Sequence, residues 1–215
     1  MYRKAHITGA SGGVVYSRDT ALFHRAQAHA DRGKPCWRDG FDDRDPGQFL
    51  FPALNLHTDE ISCAIGLASL ARLEETRRRR LAFVAAFAEL LGRRSRLCRV
   101  HDWSDEDSPF VLPVHVAAGT DARAFGRAVL AEGIGLNPHY RYLAADWPWL
   151  RPYLAEDFPT PRARALRDGA FMLYLNENYG SREAEDAVAA IVKVEDWLAA
   201  MEGIPWSVST RVETL

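Results

Sequence analysis

Between residues 58 and 94 the apolar side chains recur at helical spacing almost without interruption. No fold can take this chain without giving that stretch a surface to pack on. Thr58 or Asp59 starts it, as a helix N-cap. Ile61, Ala64, Ile65, Ala68, Leu70 and Leu73 form a wide apolar stripe, with small residues for close packing. Glu74 and Glu75 stand three and four residues ahead of members of the Arg77–Arg80 run. A second stripe uses Leu81, Val84, Phe87 and Leu91. The arginine run reads as a solvated helix face rather than a phosphate or nucleic-acid patch, because acids balance it and it is isolated in the chain.

The flanks have a different texture. Val14-Val15-Tyr16 reads as a short buried-type strand, and Asp19 caps an amphipathic helix to about Gly33 with Leu22, Phe23 and Ala26 on one face. Residues 34–54 are rich in Gly, Pro and Asp with interspersed aromatics, a long loop of the kind that is often functional. From about residue 95 the pattern is α+β. Phe110 to Val116 is a strand, Asp121 caps a helix through Ala131, and Gly133 stops it. Ile134 to Leu136 is a second strand, residues 137–159 an aromatic, proline-punctuated loop, and Ala163 to Asp168 a short helix. Phe171 to Leu175 is a third strand, and Ser181 to Met201 a long amphipathic helix with Ser181 and the Glu183–Glu185 segment suited to its N-terminus. A tail follows Gly203-Ile204-Pro205.

Charge and cysteine usage narrow the partners. A net charge of -2 argues against nucleic-acid binding, which favours a basic domain. Cys36, Cys63 and Cys98 are odd in number and lack metal-ligand spacing, and no paired-histidine spacing occurs, so no metal is expected. Free thiols fit a reducing, cytoplasmic setting. No apolar run is long enough to span a bilayer, and the N-terminus has no signal-peptide core.

The 215 residues hold 24 arginines and three lysines, Lys4, Lys34 and Lys193. Arginine stays charged, whereas a desolvated lysine can lose its proton and attack a carbonyl. Lys4 precedes a small-residue turn, Gly9-Ala10-Ser11-Gly12-Gly13, that leads into Val14-Val15. Two readings stand. Lys4 is the anchor of an aldehyde cofactor, or codon usage has replaced lysines by arginines and Lys4 is a loose terminal residue. Lys34 falls in a polar loop and Lys193 on a solvent-facing helix side, where nothing lowers an amine pKa. The glycine-rich turn matches neither the dinucleotide fingerprint nor the P-loop.

Three further polar clusters stand out. Asn55 to Glu60 lies at a helix N-terminus, which suits either an anion or ordinary capping by Thr58 or Asp59. Asn137-Pro138-His139-Tyr140-Arg141-Tyr142 packs hydrogen-bonding and stacking groups into one loop, as a pocket lining or as a packed aromatic cluster. Asn176 to Gly180 sits between a strand and a helix. No serine or cysteine occupies a recognisable nucleophile elbow.

In order and spacing these elements resemble the C-terminal half of the DegT/DnrJ/EryC1/StrS sugar aminotransferases. Lys4 through Gly12-Gly13-Val14-Val15 to Asp19 is similar to the family's Schiff-base lysine, glycine pair and following strand and helix. Asn55 to Glu60, then Ala64-Ile65-Gly66-Leu67 and Leu70 to Leu73, is similar to its Asn-aromatic-Arg segment and Ala-Ala-Ile-Gly helix. Ala131-Glu132-Gly133-Ile134 with Tyr140, and Lys193-Val194-Glu195, resemble its later turn and closing helix.

The resemblance implies an α/β fold, the C-terminal portion of a fold-type-I pyridoxal-phosphate transferase with an α+β small domain. Residues 1–57 would be part of the large domain, 58–94 a connecting helix, 95–203 the small domain and 204–215 a tail. It implies pyridoxal 5'-phosphate as cofactor, with Lys4 as catalytic and cofactor-bearing lysine and Asn55 as a donor to the cofactor phosphate, typically across a dimer. His139 and Tyr140 would lie near a substrate such as a nucleotide-linked keto-sugar, with an amino acid as amino donor.

The departures are equally specific. Lys4 to Gly12-Gly13 runs about one residue long, His57 stands where arginine is common, and Cys63 where alanine or glutamine is. The family's N-terminal half supplies the phosphate cup, the stacking aromatic and the aspartate for the pyridine nitrogen. It has no counterpart in these residues. The expectation is a fragment, a truncated frame or one part of a split enzyme, pairing as a homodimer or with the missing half and inactive alone. A non-catalytic dimerisation or regulatory module is the alternative. A dehydratase variant, with histidine replacing the lysine, brings in His6, but Lys4 is favoured.

Overall fold

The computed structural model describes residues 12–154 and 159–201. Backbone contacts divide the chain into two compact units at Glu74 and Glu75.

In the first unit, α1 spans Thr20–Ala30. Asp19 caps it, its Oδ1 accepting from the backbone N–H of Ala21 at 2.8 Å and Leu22 at 3.1 Å. Past the helix end, Arg32 and Gly33 adopt positive φ of 56° and 82°. Glycine is required at 33, because a Cβ there would run into the Phe51 carbonyl. The turn lays residues 30–33 beside 50–56. Arg32 N donates to Leu54 O at 2.9 Å, Leu56 N to Ala30 O at 2.8 Å, and Asp31 bridges Asn55. The intervening loop has its own packing. His24 stacks on Trp37, with ring centroids 4.4 Å apart. Lys34 is buried, with Nζ 3.7 Å from Asp43 and 5.8 Å from the Phe49 ring centre.

The apolar stretch predicted as one helix over 58–94 forms two. α2 covers Glu60–Leu70 and α3 Leu73–Arg94. Ala71 N still reaches Leu67 O, but Arg72 N turns back only three residues, to Ser69 O, and this tighter turn interrupts the ladder. Val14, Val15 and Tyr16 form no strand and stand exposed. A strand needs a ladder partner, and none pairs with them among the described residues.

The second unit is a four-stranded antiparallel sheet in the order β1-β2-β4-β3, of strands Cys98–Arg99, Val111–Val116, Ala170–Tyr174 and Leu136–Asn137. Helices α4 (Ala122–Ala131), α5 (Pro161–Asp168) and α6 (Ser181–Met201) complete it. The strands at 110–116 and 171–175 and the caps at Asp121 and Glu183 follow the sequence reading. Asp121 Oδ1 accepts from Arg123 and Ala124, and Glu183 accepts from Gly180 N. The expected strand at Ile134–Leu136 is displaced to Leu136–Asn137. The two-residue β1 is too short for any periodicity to announce it.

The core joins Phe83, Val84, Phe87 and Leu91 of α3 to Leu112 and Val114, Phe171 and Leu173, Phe125 and Val129, and Val188, Ile191 and Val194. Gly126 lets α4 approach the sheet, since a Cβ there would lie 2.9 Å from that of Phe171. Glu195 is fully buried on α6. It accepts from the backbone N–H of Arg96 at 2.9 Å and Leu97 at 3.3 Å, and from the Ser95 hydroxyl. Burial first, and the Glu195 charge second, push the Cys98 thiol up to about 12, so it stays protonated at neutral pH.

Candidate functional site

The sequence candidates fall in three places. Lys4, with His6, lies outside the described residues. Asn55 is in the first unit, and His139 and Tyr140 are in the second.

Asn55 is exposed. Its Oδ1 accepts from the backbone N–H of His57 at 3.3 Å, an Asx-type turn that leaves the amide nitrogen to donate outward. The cations beside it are engaged. Arg32 Nη2 lies 2.7 Å and His57 Nε2 3.2 Å from Asp31 Oδ1. Burial works to raise the Asp31 pKa, but the Arg32 hydrogen bond and the nearby charges of Arg32, His57 and Lys34 outweigh it and hold the carboxyl below its usual value. The first turn of α2 is served by its own cap, Asp59, which accepts from Ser62 N at 2.8 Å and Ser62 Oγ at 2.7 Å. Capping is therefore what the Asn55–Glu60 segment does at its helix end. The chemistry of the donor set fits one contact to a phosphate, through the Asn55 amide.

His139 and Tyr140 follow β3. Asn137 Oδ1 accepts from His139 N at 3.1 Å and turns the chain. His139 Nε2 lies 3.4 Å from Asp168 Oδ1, and its Nδ1 is buried without a hydrogen-bond partner among the described residues. Tyr140 is exposed and meets Tyr142 edge to face at 5.7 Å. Arg167 holds Asp168 with two bonds, Nε to Oδ1 at 2.7 Å and Nη2 to Oδ2 at 2.9 Å. Its Nη1 reaches Asp146 Oδ2 at 2.6 Å, and Arg164 pairs with the other Asp146 oxygen. The Arg167 hydrogen bond lowers the Asp168 pKa to about 2, and the two carboxylates raise that of Arg167.

Two buried cations differ from the sequence reading. Lys34 is buried, not in a solvated polar loop as its neighbours suggest. Arg80 is buried within the arginine run and pairs with Glu177 at 3.1 Å. Its Nε and Nη1 have no partner among the described residues. Arg78 and Arg79 behave as a solvated face, both bound to Glu75. The signal for Arg80 was present, since it falls on the stripe of Phe83, Val84, Phe87 and Leu91. Nothing in the sequence announces the partnership of Arg167 with Asp146 and Asp168. Glu177 belongs to the Asn176–Gly180 turn, which docks through Arg80 and through Tyr179 on Phe83, with centroids 5.6 Å apart.

Among the described residues no group of three His, Cys, Asp or Glu is placed to hold a metal ion, and no helix is long and apolar enough to cross a membrane.

The model of the DegT/DnrJ/EryC1/StrS aminotransferase family matches residues 2–192. No curated protein matches the chain. Solved structures do. Helicobacter pylori PseC, an aminotransferase involved in the biosynthesis of pseudoaminic acid, matches with a TM-score of 0.75 at 17% identity, over 89% of this chain and 51% of that one. The GDP-4-keto-6-deoxy-D-mannose-3-dehydratase of E coli, with bound hydrated PLP, matches with 0.72 at 16%, over 88% and 52%. The sugar aminotransferase CalS13 of Micromonospora echinospora matches with 0.68 at 21%, over 87% and 49%. The chain thus spans about half the length of these structures.

Proposed function

The chain belongs to the DegT/DnrJ/EryC1/StrS aminotransferase family, and from that premise we propose that it forms part of an enzyme moving an amino group from an amino acid to a keto-sugar or similar carbonyl. The observation that carries the reading is the family match from residue 2 to residue 192, which takes in Lys4, Asn55, His139 and Tyr140 in one chain. Pyridoxal phosphate is the cofactor of the family, whose fold-type-I scaffold this chain shares. When bound it supplies an electron sink for the carbon that loses a proton.

In this reading Lys4 anchors the cofactor and carries the proton between the two reacting carbons, a task for an amine that is neutral near pH 7. Asn55 donates its amide N–H to the phosphate, across a dimer. His139 and Tyr140 orient the sugar substrate, which is nucleotide-linked. Residues 1–57 belong to the large domain, 58–94 connect it to the small domain of 95–203, and 204–215 form a tail. The setting is cytoplasmic.

The enzymatic reading predicts that residues 1–215 alone, with only these cofactor contacts, turn over no keto-sugar with glutamate. An enzyme that joins this chain to a phosphate cup should do so at about 1 per second or faster. Steady-state assay of both forms tests it. Turnover by the chain alone at that rate, or none by the complete enzyme, contradicts it.

One observation supports the second reading, a dimerisation module, as well as the first. α2 is inside out. Ser62, Gly66 and Ser69 are buried, while Ile61, Ile65, Leu67 and Leu70 are exposed. Apolar surface of this kind finds partners. Both readings therefore predict self-association, and sedimentation at tens of micromolar, roughly where contacts of this size saturate, should show a dimer. A single monomeric species contradicts it.

A further inference from the structure

We propose that Arg167 and Asp168 are positioning residues: together with Asp146 they clamp the loop after β3 at two points, so that Tyr140 and Tyr142 are presented in fixed orientation to a sugar-bearing ligand. The inference rests on the reading of His139 and Tyr140 as substrate-facing.

The loop needs such a device. No residue from Pro138 to Tyr153 is buried, so the core that orders the rest of the second unit does not reach it. Long loops without buried side chains open at low free-energy cost. Local help comes from the Asn137 turn, from short 3₁₀ turns at Ala144–Asp146 and Pro148–Tyr153, and from ring contacts within the loop itself, Tyr140 with Tyr142 and Trp147 with Trp149, none of which ties it to the rest of the unit. The charged groups at the end of α5 supply the rest. Asp168 meets His139 at the start of the loop, and Arg167 meets Asp146 eight residues beyond Pro138.

Exposed ion pairs usually contribute little, because two long side chains lose freedom for a screened attraction. This network differs in geometry. One guanidinium holds a carboxylate bidentately and a second carboxylate through its remaining nitrogen, and its side chain is only 19% exposed. Arg167 is fixed once and serves both anchors. Between them Tyr140, Arg141 and Tyr142 face solvent, the aromatic and cationic surfaces that suit a sugar carrying an anionic group.

Hydrogen exchange of the 215-residue chain tests the clamp. Arg167→Gln should speed exchange of the hydrogen-bonded loop amides of His139, Asp146 and Trp147 by on the order of tenfold or more, with the β2 and β4 amides unchanged. Arg167→Lys should not restore protection, because one ammonium cannot span both carboxylates in fixed geometry. Arg164→Gln, which spares the Arg167 fork, should have a smaller effect. Unchanged loop exchange, equal acceleration in β2 and β4, or full rescue by lysine would overturn the clamp. In the complete enzyme, Arg167→Gln should raise KM for the sugar about tenfold or more while kcat changes little. A loosened loop with unchanged KM would overturn the presentation role. If the wild-type enzyme turns over no keto-sugar, the aminotransferase reading fails, and the exchange comparison still decides the clamp.

Discussion

In the complete enzyme, Lys4→Ala is expected to cut turnover of a keto-sugar by on the order of a thousandfold or more, the scale of losing a positioned acid–base group. The loss should fall on kcat, because in the proposed role Lys4 would act on the reacting carbons rather than on remote parts of the substrate. Lys4→Arg should be equally inactive, since a guanidinium stays protonated and forms no Schiff base. Steady-state kinetics of the two variants against wild type provide the check. An arginine variant that keeps more than about a tenth of the wild-type kcat would be incompatible with a proton carrier at this position.

Glu195→Ala should destabilise the second unit by about 3 kcal/mol or more. The carboxylate is buried and receives three donors, Ser95 Oγ and the backbone N–H of Arg96 and Leu97. Alanine leaves those donors without a partner where water does not replace it, and it opens a cavity beside Ile191 and Val194 on the same buried helix face. Glu195→Gln should cost less than alanine, because one acceptor oxygen survives, but it turns an N–H toward a neighbouring donor. Urea unfolding followed by circular dichroism measures the shift in midpoint. A change below about 0.5 kcal/mol for alanine would mean that the turn after α3 is not held by this carboxylate.

Local chemistry explains which parts of this structure were legible in the sequence. Asp19, Asp59 and Asp121 cap their helices because the signal and the interaction lie within three residues of one another. α6 carries a sustained stripe and runs from Ser181 to Met201 as its periodicity predicts. Val14 to Tyr16 has the composition of a strand, but composition says nothing of whether a partner lies alongside. Lys34 sits among polar loop residues, yet Phe49, fifteen positions on, closes over it. The Arg167 clamp joins α5 to a loop some twenty residues earlier and leaves no periodic trace. Arg80 is the instructive exception. Its helical register with Phe83 and Phe87 marked it as buried, and the charge of its neighbours concealed that. As for site residues, the clusters holding Asn55, His139 and Tyr140 stood out as polar segments and took their roles from the family resemblance, whereas the contact of His139 with Asp168, and of Asp168 with Arg167, emerges only in three dimensions.

The identity of the cofactor-bearing lysine is the central claim. The chain offers three primary side-chain amines, of which Lys34 is buried with its Nζ 3.7 Å from Asp43 and is the competitor that the test must separate from Lys4. Lys193, exposed and paired with Glu132 at 2.5 Å, is not. The direct test is borohydride reduction of the pyridoxal-phosphate-loaded complete enzyme, followed by peptide mapping. The account predicts a single phosphopyridoxyl label, on Lys4. A label on Lys34 or Lys193 with Lys4 unmodified, or no label at all, would contradict it.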